Sequence, residues 1–150
     1  MVSYRFATEK DINVLVELRL QFIEARTDHG SFFSIFQNCK EYFEHAMKNS
    51  TCEVILAYDD DKLIGEGMIY YYEAIPSLYN IGGFTGNIEN LYVNLKYRQN
   101  GVGGTMLSKL MDSAKKKGVE VIYANTSDSG GRLFKEHGFA HIHNSMIYQG

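Results

Sequence analysis

Apolar and polar residues alternate along the chain in segments of either extended or helical period. Val2–Phe6 alternates residue by residue, which predicts a first strand. Thr8 follows as a candidate N-cap with Asp11 three residues later, a spacing typical of a helix start. Apolar residues then recur at helical spacing: Ile12, Leu15, Val16, Phe22 and Ile23. A strand followed by a helix is therefore predicted for the start of the chain.

The next segments predict a helix and a pair of strands. Residues 27–36 have loop-like composition although they carry three phenylalanines, and a second helix is predicted over residues 39–48. Residues 53–58 and 63–72 have the composition of strands, and three consecutive aspartates between them indicate an exposed turn. This part of the chain is therefore predicted to form a helix and then a hairpin.

The second half of the chain begins with a connecting loop over residues 75–86, which holds the only proline, Pro76, and three glycines. Five further elements are predicted: a strand at 87–93, an amphipathic helix at 101–117, a strand at 119–125, a short helix at about 129–137 and a last strand near 139–148. Helices and strands alternate without a strict β-α-β rhythm. The pattern therefore predicts an α/β chain with a mixed sheet and helices on its faces.

Composition narrows the class of protein. A chain of 150 residues with 45% hydrophobic and 22% charged residues fits one globular domain over residues 1–150. Its apolar runs are far shorter than the roughly 20 residues that cross a bilayer, so no membrane partner is predicted. The formal charge of −3 argues against a nucleic-acid partner. Two cysteines and no charged-then-apolar leader predict a cytoplasmic protein without a disulfide framework.

The small net charge conceals an uneven distribution. Residues 1–75 hold 7 Lys and Arg against 13 Asp and Glu, whereas residues 76–150 hold 8 against 5. The halves therefore carry −6 and +3. If both halves line one cleft, one wall suits a cation and the other an anion; the alternative is chance unevenness on a solvated surface.

The most informative stretch is residues 89–105, where a predicted strand leads through a polar turn with three glycines into a helix. The first N–H groups of a helix have no intrahelical partners and the helix dipole is positive there, so this turn predicts an anion site. Lys96 and Arg98 add positive charge. The run GVGGTM at 101–106 lacks the third glycine of the dinucleotide fingerprint, and no Gly-Lys-Ser/Thr follows as in an ATP-type phosphate loop.

At these residues the sequence resembles the GNAT superfamily of N-acetyltransferases, which transfer an acetyl group from acetyl-CoA to an amine. Residues 98–103 (RQNGVG) match the superfamily's signature of Arg or Gln, two residues, Gly, one residue, and Gly or Ala. Residues 90–93 (NLYV) resemble its splayed strand, and residues 133–139 (LFKEHGF) resemble its closing short helix and Gly-Phe. Residues 8–11 (TEKD) resemble the usual opening of its first helix.

The resemblance implies a fold, a co-substrate and a set of contacts. The fold would be the acyl-CoA N-acyltransferase fold, a mostly antiparallel central sheet with splayed parallel strands, flanked by helices. The co-substrate would be acetyl-CoA, with no metal. The implied cofactor-binding residues are Leu91, Tyr92, Val93, Arg98, Gln99, Asn100, Gly101, Val102, Gly103, Gly104, Thr105, Asn125 and Phe134.

One position departs from the superfamily's pattern. Phe134 stands where the superfamily usually has a tyrosine that protonates the departing thiolate, and a phenyl ring has no proton to give. Another donor is then needed, or the thiolate leaves unassisted. The candidate donors, which the sequence does not rank, are Tyr148, Tyr92, Ser127 and Ser129.

An ammonium group must lose a proton before it attacks a thioester, so a carboxylate is expected near the acceptor. Glu89 is the predicted catalytic base because it lies on the strand that faces the acetyl group in the superfamily, and Glu66 on the preceding strand is the reserve candidate. Backbone N–H groups around Leu91 to Val93 would polarise the thioester carbonyl. Arg19, on the apolar stripe of the first helix, is expected to pair with a neighbouring acid rather than to contact substrate.

Three functions follow from the resemblance. The first is an acetyl-CoA-dependent N-acetyltransferase that acts on the primary amine of a small molecule by direct attack. The second is acetylation of a protein lysine or N-terminus, and the third is an acyl-CoA-binding sensor without catalysis, for which Phe134 is the main sequence hint. The resemblance favours a homodimer over a monomer.

Overall fold

The structure is a computed structural model that describes residues 1–24, 32–127, 130–142 and 145–150. Its strands are β1 (Val2–Phe6), β2 (Cys52–Asp59), β3 (Lys62–Glu73), β4 (Phe84–Val93) and β5 (Val121–Ala124). Its helices are α1 (Ile12–Glu24), α2 (Phe32–Lys48), α3 (Val102–Lys116) and α4 (Gly131–Glu136), with short 3-10 helices at Glu9–Asp11 and Leu95–Tyr97. No helix in the described ranges is both long and apolar enough to cross a membrane.

The strands form one sheet in the order β1-β2-β3-β4-β5. The first four strands pair antiparallel, and β5 pairs parallel to β4. A parallel neighbour requires a crossover connection, which α3 supplies between β4 and β5. This mixed sheet with flanking helices confirms the predicted fold class.

Each face of the sheet carries its own apolar cluster. Alternate side chains of a strand point to opposite faces, so β2 and β3 contribute to both clusters. On one face α3 packs through the fully buried Met106, Leu107 and Leu110. On the other face α1 and α2 pack through Leu15 and Phe43. The sheet is therefore covered on both sides, and α1 and α2 share one of them.

The start of α1 follows the predicted capping pattern. The Thr8 N–H donates to Asp11 Oδ2 at 2.8 Å and the Asp11 N–H donates to the Thr8 carbonyl oxygen at 2.9 Å. The Arg5 guanidinium on β1 donates two hydrogen bonds of 2.8 Å to the same carboxylate. This arrangement ties the start of the helix to the first strand.

Three predicted elements differ from the structure by three residues or more. α2 begins at Phe32 rather than at Cys39, because Phe36, Cys39 and Phe43 already have helical spacing; residues 27–31 of the predicted loop lie outside the described residues. β4 begins at Phe84, three residues early. A last strand was predicted near 139–148. The described residues of that range, 139–142 and 145–148, form no strand, so the prediction is wrong there.

Candidate active site

The sheet opens at the point where β4 and β5 separate. Their pairing covers only Thr85 to Ile88 on β4 and Val121 to Ala124 on β5, and the Asn125 N–H makes a last bond of 3.3 Å to the Ile88 carbonyl oxygen. β4 continues for five more residues to Val93, with β3 on its other side. Beyond Ile88, one edge of β4 therefore has no strand beside it in the described part of the chain.

The open edge of β4 presents backbone hydrogen-bonding groups. The Asn94 N–H bonds to the Ile64 carbonyl oxygen on the β3 side at 2.8 Å. Because successive peptide groups of a strand point to alternate sides, the N–H and C=O groups of Leu91 and Val93 point the other way, into the opening. Arg98 Nε donates to the Val93 carbonyl oxygen at 2.9 Å, which is consistent with that direction. The opening thus offers a row of main-chain donors and acceptors.

The turn between β4 and α3 is held in an uncommon backbone conformation. Gln99 and Gly101 both have positive φ, of 62° and 79°. A Cβ on Gly101 would meet no atom within 4 Å, so this glycine is needed for its backbone angle rather than for space. Thr105 Oγ1 donates to the Gly101 carbonyl oxygen at 3.0 Å, and Asn100 Nδ2 donates to the Arg98 carbonyl oxygen at 3.3 Å. These bonds fix the N-terminus of α3 beside the open edge of β4.

Gly103 and Gly104 serve a different purpose from Gly101. A Cβ on Gly103 would lie 3.2 Å from Leu133 Cδ2, and one on Gly104 would lie 3.4 Å from His137 Cε1. Both contacts come from α4 and the residue that ends it, so the two glycines let α4 pack against the first turn of α3. The resemblance implies cofactor contacts at both glycines, and the structure adds a packing reason for them.

The first turn of α3 has the geometry of an anion site. The Thr105 N–H donates to the carbonyl oxygen of the N-cap residue Gly101 at 3.0 Å, which is the first i to i−4 hydrogen bond of α3. The N–H groups of Val102, Gly103 and Gly104 come before that bond and have no carbonyl partner within the helix. Val102 itself is a buried core residue whose backbone, not side chain, faces this site. The Arg98 guanidinium carbon lies 5.9 Å from the centre of the half-exposed Tyr92 ring. Backbone donors and a cation therefore converge here.

Glu89 lies where β4 bulges. Met68 pairs with Asn90 and Ile69 with Ile88, so Glu89 is the extra residue between them. Its carboxylate accepts a hydrogen bond from Asn125 Nδ2 at 3.3 Å. The bulge thus places the predicted base at the mouth of the opening, next to the end of β5.

Arg19 on α1 connects two residues of β4. Its Nη1 donates to Asn90 Oδ1 at 2.6 Å, and its Nη2 lies 3.7 Å from Glu89 Oε1. The guanidinium carbon is also 5.7 Å from the centre of the Phe22 ring. The expectation that Arg19 pairs with an acid is confirmed. Its bond to Asn90 was not foreseen, because it depends on how α1 lies across the sheet.

Glu66 lies on β3, on the face of the sheet that α1 and α2 cover. Glu66 is only 3% exposed, and its Oε2 has no hydrogen-bond partner among the described residues. Burial raises the pKa of this carboxyl to about 7, although the neighbouring Asn90 amide and the charge of Arg19 act in the opposite direction. Asn90 is fully buried, and its Nδ2 likewise has no partner in the part of the chain that the structure describes.

Phe134 is placed in the core rather than at the open edge of β4. It is 6% exposed and packs edge-on against Phe139, with ring centres 5.1 Å apart. It belongs to the apolar cluster under α3 and lines a cavity of about 480 Å³ that also touches Tyr123 and Ala124 of β5. A cofactor contact at Phe134 remains a prediction from the resemblance.

The four candidate proton donors are widely spread. Tyr92 lies on the open edge and is 40% exposed, whereas Tyr148 is 91% exposed in the C-terminal segment. Ser127 Oγ accepts a bond of 3.3 Å from the Gly130 N–H. Ser129 lies outside the described residues. Tyr92 is thus the candidate that the described residues bring to the open edge.

Comparison with solved structures identifies many chains of the same shape. A predicted acetyltransferase from Clostridium acetobutylicum, solved with acetyl-CoA, is 26% identical and has a TM-score of 0.90; the alignment covers 99% of this chain and 96% of that one. A GCN5-related N-acetyltransferase from Ralstonia eutropha is 15% identical, with a TM-score of 0.87 and coverages of 99% and 98%.

A more distant neighbour acts on a named class of acceptor. It is an aminoglycoside acetyltransferase from an uncultured soil metagenomic sample, 15% identical, with a TM-score of 0.74 and coverages of 99% and 95%. At this identity the likeness shows the shared fold alone. No curated protein sequence matches this chain.

The sequence itself matches a protein family over most of its length. Residues 16–139 match the Acetyltransferase (GNAT) family, and this range includes β4, the glycine-rich turn, α3 and α4. The open edge of β4 and the predicted anion site at the start of α3 both lie inside it. The chain therefore belongs to the GNAT acetyltransferase family.

Proposed function

We propose that this protein transfers the acetyl group of acetyl-CoA to the primary amine of a small molecule, by direct attack of the amine on the thioester. The observation that carries the proposal is one juxtaposition. The open edge of β4 lies between the anion site at the start of α3 and the carboxylate of Glu89. A thioester held along that edge would have its anionic end at α3 and its reactive end near a carboxylate.

The residues present fit acetyl-CoA. The free N–H groups of Val102, Gly103 and Gly104, together with Arg98, suit its diphosphate. The amide groups of its pantetheine arm match the peptide groups of Leu91 and Val93, much as an added strand would. The family neighbour that was solved with acetyl-CoA supports the same co-substrate.

The reaction needs a neutral amine and a polarised carbonyl. Glu89 accepts a proton from the acceptor's ammonium group, and the nitrogen lone pair then attacks the thioester carbon. A backbone N–H of the open edge, at Leu91 or Val93, would stabilise the charge that develops on the carbonyl oxygen. The C–S bond breaks and the electron pair leaves on sulfur as a thiolate, which is a tolerable leaving group near neutral pH.

The surroundings of Glu89 suit a cationic acceptor. The half of the chain that supplies α1, α2, β2 and β3 carries a formal charge of −6. Tyr70 and Tyr72 lie on β3 beside the site, with ring centres 6.0 Å apart, and Asn87 Nδ2 donates to the Tyr70 hydroxyl at 2.8 Å. An acidic site with aromatic walls favours an amine that is protonated in solution.

The test is thiol release from acetyl-CoA with a panel of acceptors. The panel contains ethylamine, trifluoroethylamine, a polyamine, an amino sugar, an aminoglycoside, a lysine peptide and a peptide with a free N-terminus. We expect turnover with at least one small amine and little with the peptides. Turnover with peptides alone would support acetylation of proteins, and tight binding of acetyl-CoA without any turnover would support a sensor.

Glu89→Gln tests the proposed base. We expect kcat to fall by about 10²-fold or more, with the affinity for acetyl-CoA nearly unchanged. Glu73→Gln is the matched control because Glu73 is an exposed glutamate at the far end of β3. If Glu89→Gln keeps the wild-type rate and pH profile, Glu89 is not the base.

Gly103→Glu tests the anion site, and Gly103→Gln is its control. Both side chains place the same bulk against Leu133, but only Glu adds a negative charge where the diphosphate would lie. We expect acetyl-CoA to bind about 10-fold more weakly to the Glu variant than to the Gln variant. Equal affinities would overturn the assignment. Arg98→Ala should also weaken binding, in contrast to Ala at the exposed Lys109 of the same helix.

A further inference from the structure

A row of side chains crosses the sheet beside Glu89, and the proposed reaction steps do not use it. Cys52 on β2 pairs with Tyr70 on β3, Tyr70 pairs with Asn87 on β4, and Asn87 pairs with Tyr123 on β5. Directly paired residues of neighbouring strands point to the same face of a sheet. Cys52 belongs to the cluster under α1 and α2, so the whole row lies on that face. Tyr70, Asn87 and Tyr123 are called the tyrosine row below.

Two more tyrosines border the tyrosine row. Tyr72 follows Tyr70 on the same face of β3, with ring centres 6.0 Å apart and ring planes inclined by 32°. Burial raises the pKa of Tyr72, and the Tyr70 and Tyr123 hydroxyls raise it further, so these three phenols are neighbours. Burial also raises the pKa of Tyr42 on α2, and Tyr70 and Glu89 are among the groups that add to this shift. Rings from β3, β5 and α2 therefore lie around one stretch of the sheet next to Glu89.

The rings at the border of this stretch are accessible to solvent. Tyr42, Tyr72 and Tyr123 each keep between 39% and 45% of their surface exposed. They are carried by a helix and by strands, so the backbone fixes their positions before a ligand arrives. Exposed aromatic side chains that lie together on a rigid support are typical of a binding surface, because ordering them on binding costs little entropy.

Asn87, in the middle of the tyrosine row, has one polar atom satisfied and one not. Its Nδ2 donates to the Tyr70 hydroxyl at 2.8 Å. Its Oδ1 is buried and has no hydrogen-bond partner among the described residues. The bond to Tyr70 fixes the orientation of the amide, so Oδ1 is left as an acceptor for an N–H or O–H group. A ligand that covers the tyrosine row can supply that group.

The position of Glu89 limits what such a ligand can be. Glu89 is two residues from Asn87 along β4, which is about 7 Å at the rise of a strand. An acceptor whose ammonium group is at Glu89 therefore reaches the rings through a short linker. Of the carboxylates that β3 and β4 place on this face, Glu66 is buried and Glu89 would already bind the reacting group. A second ammonium group over the rings would have no carboxylate partner there, whereas a flat aromatic group can stack on the rings.

We propose that the tyrosine row and Tyr72 form the acceptor subsite, and that this subsite selects an amine carried by a short alkyl linker on an aromatic ring. This inference rests on the proposed function and names the class of acceptor within it. The aromatic ring of the acceptor lies against Tyr70, Tyr72 and Tyr123, and its ammonium group lies at Glu89. A hydroxyl or N–H group on the acceptor's ring, where there is one, donates to Asn87 Oδ1.

The first experiment compares phenylethylamine with cyclohexylethylamine as acceptors. The two amines have the same linker and similar bulk, but only the first has a ring that stacks on tyrosine. We expect kcat/KM to be about 3- to 10-fold higher for phenylethylamine, the range that aromatic pairing adds to burial alone. Diaminobutane and glucosamine complete the panel as a diamine and an amino sugar. Equal values for the two matched amines, or a preference for the diamine or the amino sugar, would overturn the proposal.

Variants of the exposed rings test the subsite itself. Tyr72→Leu and Tyr123→Leu should each lower kcat/KM for phenylethylamine about 5- to 10-fold, mainly through KM, and should change it little for ethylamine, which is too short to reach the rings. Tyr72→Phe is the matched control, because it keeps the ring and should keep the preference. Equal losses with both amines would show a structural role. A loss in Tyr72→Phe as large as in Tyr72→Leu would show that the hydroxyl matters rather than the ring, and either result overturns the proposal.

A binding measurement separates this inference from the proposed function. The chain contains no tryptophan, so the indole of tryptamine can be excited apart from the protein's tyrosines. Its fluorescence anisotropy is followed with the protein and CoA, which carries no acetyl group to transfer. We expect binding to the wild type and about 10-fold weaker binding to the double variant Tyr72→Leu, Tyr123→Leu. If tryptamine binds in this way but no amine is acetylated, the proposed function fails and the subsite stands. If ethylamine is acetylated but tryptamine binds equally to both proteins or to neither, the inference about the subsite fails alone.

Discussion

Glu53 and Glu66 lie on neighbouring strands and face opposite sides of the sheet. On the α3 side, Glu53 accepts hydrogen bonds from the Tyr71 hydroxyl and from Ser113 Oγ, the latter at 2.8 and 3.0 Å to its two oxygens. Lys117 Nζ lies 3.7 Å away. Glu66, on the α1 and α2 side, is more deeply buried and has an oxygen without a partner in the described chain.

The difference separates a carboxylate that links three elements of the fold from one whose charged form is disfavoured by burial. Glu53 connects β2, β3 and α3 through hydrogen bonds from Tyr71 and Ser113 and an ion pair with Lys117. Glu66 is kept where its charge is disfavoured, which costs stability but leaves it ready to take a proton near neutral pH. Groups that lower stability without an obvious structural return are often the ones that function requires.

The largest effect is expected from a substitution in the apolar cluster under α3. It tests how much packing on this face of the sheet contributes to the free energy of unfolding. Leu110 is fully buried and packs against β3 at Gly67, where a Cβ would lie 3.1 Å from its Cδ1. Leu110→Ala should lower the free energy of unfolding by about 3 kcal/mol, because it removes apolar contacts and leaves a cavity. Urea unfolding measures the loss, with Lys109→Ala as the exposed control. A loss no larger than that of the control would contradict this picture of the α3 side.

Glu66→Gln, in contrast, should raise the free energy of unfolding relative to wild type at alkaline pH. The folded pKa of about 7 lies above the ordinary value of 4.5, so the proton is bound more tightly in the folded state. That stability is complete below the ordinary pKa and is lost as pH rises through 7. Relative to wild type, Glu66→Gln should therefore gain up to about 3 kcal/mol between pH 5 and pH 8. Thermal unfolding at both pH values checks this, and a constant difference would mean that Glu66 is ionised throughout.

Glu53→Gln should destabilise where Glu66→Gln stabilises. It keeps the size of the side chain but removes the charge that binds Ser113, Tyr71 and Lys117, at a cost of about 2 kcal/mol. Urea unfolding at pH 8 compares the two variants directly, and Glu73→Gln on the exposed end of β3 provides the baseline. If both buried positions respond with the same sign, the contrast between the two faces is wrong.

The smallest effect concerns the start of α1, the helix that carries Arg19. Arg5 and the Thr8 N–H bind Asp11, and the Arg5 guanidinium holds the pKa of Asp11 well below its usual range. This stability is present above the usual pKa and is lost as pH falls. Asp11→Asn should therefore cost about 1 kcal/mol at pH 7, with a smaller difference from wild type at pH 3. A difference that grows on acidification would contradict the assignment.

The local elements could be predicted because their patterns are local. The alternation at Val2–Phe6 and the capping residues Thr8 and Asp11 gave the start of the chain correctly. The start of α2 was wrong because residues 27–36 were assigned by composition, although the spacing of the aromatic residues was already helical. The last strand was wrong in its described part because alternation alone does not supply a partner strand.

The site could be predicted only where a motif encodes it. The glycine-rich turn and Arg98 follow from sequence spacing, whereas the state of Glu66 depends on contacts between distant residues. Its burial was signalled weakly, since it occupies the same face of β3 as Met68 and Tyr70. Nothing local indicates that Arg19 would bind Asn90, which is 71 residues away, or that a bulge would bring Glu89 forward.

The open edge of β4 also affects the tendency of the protein to aggregate in concentrated solution. A strand edge with free peptide groups can pair with any extended chain, which is the first step of β-aggregation. This chain keeps the edge only five residues long and covers the Val93 carbonyl with Arg98. A bound co-substrate would cover the rest. Acetyl-CoA should therefore act as a protective strand, and preparations that are depleted of it should form aggregates sooner on storage.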